Sequence, residues 1–317
     1  MSIAPADDAA IARAADLLRQ GLLVAFPTET VYGLGADAGN GRAVAAVFEA
    51  KGRPRFNPLI AHLADLAAAD RLAMLDARAR RLAETFWPGA LTLVLPKRAG
   101  APISELVTAG LDTIALRVPS HPVARALLQA FGRAIAAPSA NPSGALSPTE
   151  AEHVERGLGD KVALILDGGA CTIGLESTIV GFEHGTPTLL RAGAVPRADI
   201  ERIIGEPLAD PAPSAGAAPS APGQLESHYA PRARLRLGAL TAEPGEMLLA
   251  FGPDAPKGVP GLNLSPTADL REAAANLFAY LHILDETGVA GIAVTAIPEH
   301  GLGEAINDRL RRAAARR

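Results

Sequence analysis

Short apolar segments alternate with amphipathic segments over the first 205 residues, and this alternation constrains the fold more than any other feature of the chain. The run 21–26 is apolar and ends at Pro27, as expected of a buried strand. Over 42–51 the spacing predicts a helix, because Val44 and Val47 recur on one face. Alternating strands and helices are typical of an α/β domain, here with a mixed sheet. The same spacing predicts helices at 9–19 and 122–131 and strands at 91–95, 113–118, 134–137, 162–166, 178–182 and 188–191.

A proline- and alanine-rich stretch interrupts this pattern. Residues 206–226 contain five prolines and no aromatic residue, a composition typical of an extended linker. Beyond it, apolar runs at 247–251 and 291–297 predict parallel strands of a second small α/β domain. A leucine-striped helix is expected between them, capped by Ser265-Pro266, and a last helix begins near Glu304. We therefore predict a first domain at 1–205, a connecting segment at 206–231 and a C-terminal domain at 232–317.

Composition and charge exclude several classes of protein. Hydrophobic residues make up 49% of the 317 residues and charged residues 20%, the balance of a folded, soluble protein. The formal net charge of −4 excludes a broadly basic surface for nucleic acid, although it leaves room for a local basic groove. Cys171 is the single cysteine, so no intrachain disulfide can form, and no zinc-site spacing is present. No segment has the pattern of a signal peptide or membrane span, which predicts a cytoplasmic protein without a membrane partner.

Polar clusters follow several predicted strands, where α/β proteins tend to place ligands. The first cluster, 27–33, brings Thr28, Thr30 and a carboxylate to the end of the first strand, although these hydroxyls could also serve the local backbone. The second presents Lys51 and Arg53 from a tight loop after a helix. Such a loop suits a polyphosphate, but a lysine at a helix C-terminus also complements the helix dipole.

Further polar residues occupy unusual positions. Ser139 and Asn141 follow a buried strand, and Ser147 with Glu150 has the spacing of a capping box in which Ser147 is the helix N-cap. Arg117 lies inside an apolar strand, where a charge needs either an ion pair or a cleft, and the sequence leaves both explanations open.

The chemistry that these clusters favour is positioning and charge neutralisation. The clusters are rich in hydroxyl and guanidinium groups and contain few candidates for a catalytic base. At the ends of two further strands, Ser177 adds a hydroxyl group and Arg191 a guanidinium group. The chain has no G-x-x-x-x-G-K-[ST] phosphate loop and no G-x-G-x-x-G turn after its first strand, so side chains and ordinary loops must hold any nucleotide. Phosphoryl or adenylyl transfer demands little else of a protein.

Six stretches of the first domain resemble the YrdC-like family and occur in that family's order. Its hallmark is a K-x-R and S-x-N combination, here Lys51 with Arg53 and Ser139 with Asn141. Together with the connecting segment and the second domain, the whole chain is similar to the two-domain members. The resemblance implies a YrdC-like twisted mixed sheet with a concave cavity, followed by a small Rossmann-like α/β domain. The six stretches are 26–35, 51–54, 57–62, 86–92, 115–119 and 138–144.

The resemblance also implies an activity. Such members make threonylcarbamoyl-adenylate and pyrophosphate from L-threonine, bicarbonate or CO2, and ATP, with Mg²⁺ carried on the ATP. A separate complex then transfers the threonylcarbamoyl group to tRNA beside the anticodon. We therefore expect hand-off to that complex, and a direct contact with tRNA stays open. The alternative is a non-catalytic maturation factor that binds double-stranded RNA or tRNA in the same groove.

The resemblance assigns roles to residues by their match to family motifs. Lys51 and Arg53 are the expected catalytic residues, and no dedicated metal site is expected. The expected threonine-binding residues are Thr30, His62, Arg117, Ser139 and Ser177. The expected ATP-binding residues are Lys51, Arg53, Asn57, Thr113, Asn141, Ser147, Arg191 and Tyr229.

Tyr229 belongs to the connecting segment, which in this family folds over the active site. We expect a gating function for 223–231 and a plain spacer at 210–220, and the uncharged or acidic run 224–227 argues against a phosphate contact there. The last helix carries arginines that either contact tRNA or a partner, or complement the helix dipole, which we favour. These are Arg309, Arg311, Arg312, Arg316 and Arg317.

Overall fold

The computed structural model of the chain describes residues 3–183, 185–211, 221–223 and 228–315. Within these ranges the chain forms a ten-stranded sheet followed by a four-stranded sheet, both packed against helices. The predicted order of a large mixed α/β sheet and a small α/β domain is confirmed. In the same ranges, no helix combines the length and apolar character needed to cross a lipid bilayer.

The first sheet is mixed, as its sequence pattern predicts. Its strands are β1 (Ile3–Pro5), β2 (Val24–Phe26), β3 (Gly33–Asp37), β4 (Ile60–His62), β5 (Leu91–Pro96), β6 (Thr113–Arg117), β7 (Ile135–Ala136), β8 (Leu164–Asp167), β9 (Thr178–Glu183) and β10 (Thr186–Arg191). Their order is β1-β8-β2-β3-β7-β4-β6-β5-β9-β10. The pairs β1–β8, β8–β2, β4–β6 and β5–β9 are parallel, and the other neighbours are antiparallel.

Helices cover this sheet. They are α1 (Asp8–Arg19), α2 (Gly41–Lys51), α3 (Leu66–Leu72), α4 (Ala77–Phe86), α5 (Glu105–Thr108), α6 (Pro122–Phe131), α7 (Ala151–Leu158) and α8 (Arg197–Ile204). The side chain of Asn40 caps the start of α2, and Gly52, with a φ of 59°, ends it. These caps place Lys51 in the last helical turn and Arg53 in the loop that follows.

Both faces of the central strands are buried. On β2, Val24 and Phe26 pack in one cluster with α1 and α6, whereas Ala25 belongs to the larger cluster that includes α2. On β4, Ala61 joins that larger cluster, so Ile60 and His62 point to the opposite face. Because side chains alternate between the two faces along β4, His62 lies on the face of the sheet that the connecting segment covers.

The C-terminal domain is built on a parallel sheet. Its elements are β11 (Arg234–Leu237), β12 (Glu246–Ala250), β13 (Gly261–Asn263), α9 (Leu270–Glu286), β14 (Gly291–Val294) and α10 (Leu302–Ala314). The strand order is β11-β14-β12-β13, and every pair is parallel. Parallel strands of this kind need helices on their faces, which α9 and α10 provide.

The two domains share a hydrophobic cluster. Gly174 approaches α9 so closely that a Cβ atom on it would lie 2.5 Å from the carbonyl oxygen of Ala275, and its φ of 71° also requires glycine. The ring of His153 in α7 stacks on His282 in α9 at 3.8 Å. The domains are therefore in close packing contact. Residues from outside the C-terminal domain in the shared cluster are Val31, Leu146, Leu175 and Tyr229.

Two predicted helix caps are wrong. The N-cap of α9 is Asp269, whose carboxylate accepts from the following backbone amides, and not Ser265-Pro266. Ser147 does not cap α7, which begins at Ala151 without a side-chain cap. The Ser147 hydroxyl donates instead to the carboxylate of Glu176 at 2.5 Å. A buried carboxylate is a stronger partner than a backbone amide, so the tertiary contact prevails over the local motif.

The first domain extends into the predicted linker. Leu208 is buried in its core, and Ala209 exchanges backbone hydrogen bonds with β10, donating to Pro187 at 2.9 Å and accepting from Leu189 at 2.8 Å. The prediction of an extended linker from residue 206 is therefore wrong for these positions. Of the predicted spacer at 210–220, Asp210 and Pro211 are described, and Asp210 pairs with Arg197 at 2.5 Å. The remainder at 212–220 and the uncharged or acidic run at 224–227 lie outside the described residues.

Candidate active site

A pocket lies on the face of the first sheet toward which Ile60 and His62 point. Because His62 pairs with Arg117 across β4 and β6, these two side chains lie side by side in its wall. Ala221 of the connecting segment is buried against the apolar residues of the same face. The volume of this pocket is about 50 Å³. The predicted site residues that line it are Thr30, Arg53, His62, Arg117, Ser139, Ser177, Arg191 and Tyr229.

Arg117 forms the ion pair that the sequence left as one of two explanations. Its Nη2 donates to Glu29 Oε1 at 2.6 Å, its Nη1 to Thr30 Oγ1 at 2.9 Å and its Nε to the carbonyl oxygen of Gly89 at 3.1 Å. Burial alone would raise the pKa of Glu29, but Arg117 outweighs it and holds that pKa below its ordinary value. The guanidinium also faces the pocket, so the ion pair orients it there.

His62 is a buried, neutral imidazole. Burial, reinforced by the charge of Arg117, lowers its pKa to about 3. Its Nδ1 has no hydrogen-bond partner among the described residues, and a buried polar atom in that state is rare. The imidazole can therefore exchange a hydrogen bond with a ligand in the pocket without competing with a protein partner in the described ranges.

Lys51 lies beneath the loop that carries Ser139 rather than in the pocket wall. Its Nζ donates to the carbonyl oxygen of Ser139 at 2.6 Å and to that of Asn141. Burial and the neighbouring Arg53 lower the pKa of this ammonium. The side-chain amide of Asn141 donates to Pro142 O and Ala145 O and so also serves the loop. Lys51 of the K-x-R motif therefore supports the loop that carries the S-x-N motif.

Arg53 is the cation of this pair that reaches the pocket. Its Nε donates to the carbonyl oxygen of Asn57 at 3.2 Å and its Nη2 to that of Pro58 at 2.9 Å. Burial lowers its pKa to about 10, which leaves it charged at neutral pH. The side-chain amide of Asn57 is fully buried, and neither its oxygen nor its nitrogen has a hydrogen-bond partner within the described ranges.

Ser177 and Arg191 form a second polar wall. Arg191 donates through Nε and Nη2 to the carbonyl oxygen of Ser177, and its Nη2 lies 3.1 Å from the Ser177 hydroxyl. That hydroxyl also contacts Thr92 Oγ1 at 2.7 Å. Two strand ends that the sequence singled out only weakly therefore meet in three dimensions, because β9 and β10 are antiparallel neighbours.

The connecting segment closes the pocket. Gly223 adopts a φ of 87°, and a Cβ there would lie 2.7 Å from Arg191 Cδ and 3.1 Å from the Tyr229 hydroxyl. Tyr229 is 1% exposed and has the unusual φ of 61° for a residue other than glycine. Its ring meets that of His228 edge-on, with 4.0 Å between the ring centres, and lies 5.6 Å from the ring of Phe278 in α9. Tyr229 is therefore held between the pocket and the C-terminal domain.

Five predicted site residues lie outside the pocket wall in this conformation. Thr113 starts β6, at the opposite end of the strand from Arg117, and Ser147 is fully buried behind Glu176. Lys51 and Asn141 support the S-x-N loop, as described above. The complete set is Lys51, Asn57, Thr113, Asn141 and Ser147.

Sequence analysis gave no role at the site to two carboxylates and one arginine that contribute to it. Glu29 orients Arg117, and Glu176 lines the pocket and pairs with Arg309 of α10 at 2.8 Å. Arg309 is 1% exposed and pairs with Glu176, so the two explanations given from the sequence, a contact with tRNA or a partner and the favoured complement to the helix dipole, are wrong for this residue. The only signal for the carboxylates was their position next to Thr30 and Ser177. No sequence feature near Arg309 indicates that it contributes to the site.

The site offers cations rather than metal ligands. Within the described ranges, no group of three or more His, Cys, Asp or Glu side chains is arranged to hold a metal ion. Glu29 and Glu176 are both engaged by arginines, whereas Arg53 and Arg191 contact carbonyl and hydroxyl oxygens. The arrangement can bind an anion of high charge and a small ligand with a carboxylate in adjacent positions.

Profile comparisons match both parts of the chain. The profile of the Sua5/YciO/YrdC family, described as "Telomere recombination", matches residues 16–193. The chain belongs to the Sua5/YciO/YrdC family. A second profile, described as "Threonylcarbamoyl-AMP synthase, C-terminal domain", matches residues 195–315. The resemblance drawn from six short motifs is confirmed.

Relatives within the Sua5/YciO/YrdC family match over nearly the full length. The threonylcarbamoyl-AMP synthase of Bacillus subtilis is 43% identical, with 98% of this chain and 94% of the relative covered. The crystal structure of Pyrococcus abyssi Sua5 complexed with L-threonine superposes with a TM-score of 0.87 at 41% identity, covering 96% of this chain and 94% of that one.

A second structure of the archaeal protein bears on the connecting segment. It is a variant in which a His-Tyr pair is replaced by two alanines, and it superposes with a TM-score of 0.85 at 40% identity, covering 96% of this chain and 92% of that one. The present chain contains a single His-Tyr dipeptide, His228-Tyr229. That dipeptide lines the pocket of this member of the Sua5/YciO/YrdC family.

Proposed function

We propose that this protein is a threonylcarbamoyl-AMP synthase that converts L-threonine, bicarbonate and ATP into threonylcarbamoyl-adenylate and pyrophosphate. The full-length relatives of that name support the activity. The single observation that carries the assignment is the pocket itself. It places the oriented guanidinium of Arg117 and the unpaired imidazole nitrogen of His62 beside the cations Arg53 and Arg191.

Threonine would bind on the Arg117 side of the pocket. The guanidinium presents forked N–H groups that match a carboxylate, and Glu29 already fixes its orientation. His62, Ser139 and Ser177 offer hydrogen bonds to the amine and hydroxyl groups of the amino acid. A neutral His62 suits this role, because a charged imidazole beside Arg117 would repel an amino-acid ammonium.

ATP would bind on the Arg53 and Arg191 side, with its phosphates against both guanidinium groups. The ring of Tyr229 would be a further contact for the nucleotide, and the unpartnered amide of Asn57, which lies outside the pocket wall here, would become one only after a change in the site. Glu29 and Glu176 are engaged by arginines, so Mg²⁺ would enter on the phosphates of ATP. Lys51 would act by shaping the Ser139 loop, and Thr113, Asn141 and Ser147 would reach the nucleotide only in a different conformation of the site.

The reaction needs charge stabilisation and alignment. Bicarbonate takes up a proton and gives CO2 and water, and the threonine amine then adds to the CO2 and loses a proton, which gives a carbamate. A carbamate oxygen then forms a bond to the α-phosphorus of ATP, and the bond to the β-phosphate oxygen breaks, releasing pyrophosphate. Cations around the phosphates stabilise the charge that develops on the leaving group, and this is the contribution we assign to Arg53 and Arg191.

The cover of the pocket would open for each substrate. A volume of about 50 Å³ admits a few water molecules but no nucleotide. We propose that the segment containing Gly223 and Tyr229 moves aside to admit ATP and then closes over it. Such a gate excludes water from the adenylate, which hydrolyses readily.

A purely RNA-binding role has less support. The pocket arginines Arg53, Arg117 and Arg191 are at most 8% exposed, so in this conformation they are unavailable to the backbone of a duplex. The product would be passed, in the cytoplasm, to a complex that transfers the threonylcarbamoyl group to tRNA.

Product analysis tests the proposal. Purified protein should release pyrophosphate from ATP and Mg²⁺ only when threonine and bicarbonate are both present, and mass spectrometry should detect threonylcarbamoyl-adenylate. Arg53→Met should lose this release, and Arg55→Met, an exposed neighbour in the same loop, should keep it. Pyrophosphate release that is independent of threonine, or no adenylate product, would refute the assignment.

A further inference from the structure

One charged side chain of the C-terminal domain reaches the wall of the pocket from behind. Arg309 of α10 donates through Nε to Glu176 Oε2 at 2.8 Å and through Nη2 to the carbonyl oxygen of Ala192 at 2.9 Å. Its Nη1 contacts Asp308 at 2.6 Å, and its guanidinium carbon lies 5.1 Å from the centre of the Tyr229 ring. Arg309 is 1% exposed, so these contacts are shielded from solvent.

The charge of Glu176 links the Arg309 contact to the pocket. Its carboxylate lines the same pocket as Arg53 and Arg191, in a site that otherwise favours anions. Burial alone would raise its pKa, but Arg309, followed by Arg191, outweighs this effect and lowers it. Glu176 is therefore an anion at neutral pH, and its charge has to be balanced within a poorly hydrated region.

Two guanidinium groups act on this carboxylate, Arg309 by direct hydrogen bonding and Arg191 through its nearby charge. Arg309 holds it from the side of the C-terminal domain, whereas Arg191 lies on the pocket side and donates to Ser177. If Arg309 were absent, the nearest way to compensate Glu176 would be an ion pair with Arg191. In that ion pair Arg191 would no longer be available to an anionic ligand. The negative charge of Glu176 would also face the phosphates.

We infer that Arg309 is a positioning residue for nucleotide binding: it neutralises Glu176 from behind, so that Arg191 stays available to the phosphates of ATP. The inference rests on the proposed function in taking ATP as the anionic ligand. It also gives the C-terminal domain a defined task, because without Arg309 only Ser147 and Arg191 would be left to stabilise the charge of Glu176.

Calorimetric titration of the full-length protein with ATP and Mg²⁺ tests this. Arg309→Met keeps the length and the apolar contact with Tyr229 but removes the charge, and should weaken ATP binding about tenfold or more. The double variant R309M/E176Q removes both charges and should return the dissociation constant to within about threefold of the wild type. A merely structural role of Arg309 predicts no such rescue, so a double variant as weak as Arg309→Met overturns the inference.

Two further variants complete the design. Arg311→Met removes a cation of the same helix that pairs at the surface with Glu299, and should leave ATP binding within about twofold of the wild type. Glu176→Gln alone should strengthen ATP binding a few-fold, because one negative charge leaves the pocket. This arm decides the question even if Arg309→Met does not fold, since weaker ATP binding by Glu176→Gln contradicts the inference.

The inference and the proposed function fail separately. If the wild type binds ATP but releases no pyrophosphate with threonine and bicarbonate, the proposed function fails while the comparison of ATP affinities still stands. If the wild type makes the adenylate and Arg309→Met binds ATP as tightly as the wild type, the inference fails and the function stands.

Discussion

Arg117 and Glu29 form a buried ion pair, with 2.6 Å between Nη2 and Oε1, whose arginine faces the pocket. Glu29 also accepts hydrogen bonds from the backbone amides of Ser120 and His121, so both of its oxygens are fixed. A guanidinium held by such a carboxylate loses little freedom when a ligand arrives. The pair therefore explains how an arginine in an apolar strand is tolerated and oriented at once.

Glu29→Gln should loosen Arg117 and weaken threonine binding. We expect the KM for threonine to rise about tenfold with a much smaller change in the KM for ATP, and the free energy of unfolding to fall by about 3 kcal/mol. Steady-state pyrophosphate release and urea unfolding measure the two effects. Glu105→Gln, which breaks an exposed pair with Lys97, is the matched control and should change neither. Equal increases in both KM values would contradict the assignment of Arg117 to the threonine side.

Stability should fall as the pH drops below neutrality. Burial lowers the folded-state pKa of His62 and of His228 to about 3, whereas an unfolded histidine has a value near 6.5. Between these values the unfolded state binds more protons, so each histidine removes about 1.4 kcal/mol of stability per pH unit on acidification. Below about pH 4.5, Glu29 and Glu176 add to the loss, because their lowered pKa values stabilise the fold only while they are ionised.

Urea unfolding between pH 7 and pH 5 tests this dependence. His62→Asn removes one titrating group, so its free energy of unfolding should vary with pH less steeply than that of the wild type by about 1.4 kcal/mol per pH unit in the lower part of this range. The slope is the readout, because the substitution also lowers stability at every pH. A slope equal to that of the wild type would show that His62 stays protonatable in the folded state.

Substitutions of Arg53 and Lys51 should have different effects on substrate binding and stability, although both residues belong to one motif. Arg53→Met removes a cation from the pocket wall and should raise the KM for ATP about tenfold or more with little effect on threonine. Lys51→Met leaves the carbonyl oxygens of Ser139 and Asn141 without their buried donor. It should lower the free energy of unfolding by about 2 kcal/mol and impair binding of both substrates. Arg55→Met is the exposed control, and a Lys51→Met variant that affects ATP alone would refute the distinction.

Replacing Tyr229 should lower turnover, whereas shortening the spacer should not. Tyr229→Ala removes a ring packed between the pocket, His228 and Phe278, and should lower turnover about tenfold or more. Deleting residues 212–218, which lie outside the described ranges, should leave turnover close to that of the wild type. Pyrophosphate release by the two variants makes the comparison, and an equal loss in both would assign the gating role to the whole segment.

Local pattern alone predicted much of the architecture. Helix α6 begins and ends where its apolar spacing and Pro122 predict, and β5 and β9 lie where continuous apolar runs were found. The short strands β3 and β13 were missed, because three to five residues with glycine carry too little periodic signal. The family resemblance identified eight side chains that line the pocket, including His62 and Arg191, which are far apart along the chain.

What only the tertiary structure decided is how the charges are distributed around the pocket. Ser147 has the spacing of a helix cap but donates to Glu176, and Arg309 was expected to complement a helix dipole but is buried against the same carboxylate. Lys51 and Arg53 stand two positions apart, yet one supports a loop and the other lines the pocket. Periodicity records which face of a helix or strand is apolar, a property of neighbouring residues. The partner of a buried charge depends instead on which distant segments pack beside it, and no local pattern contains that information.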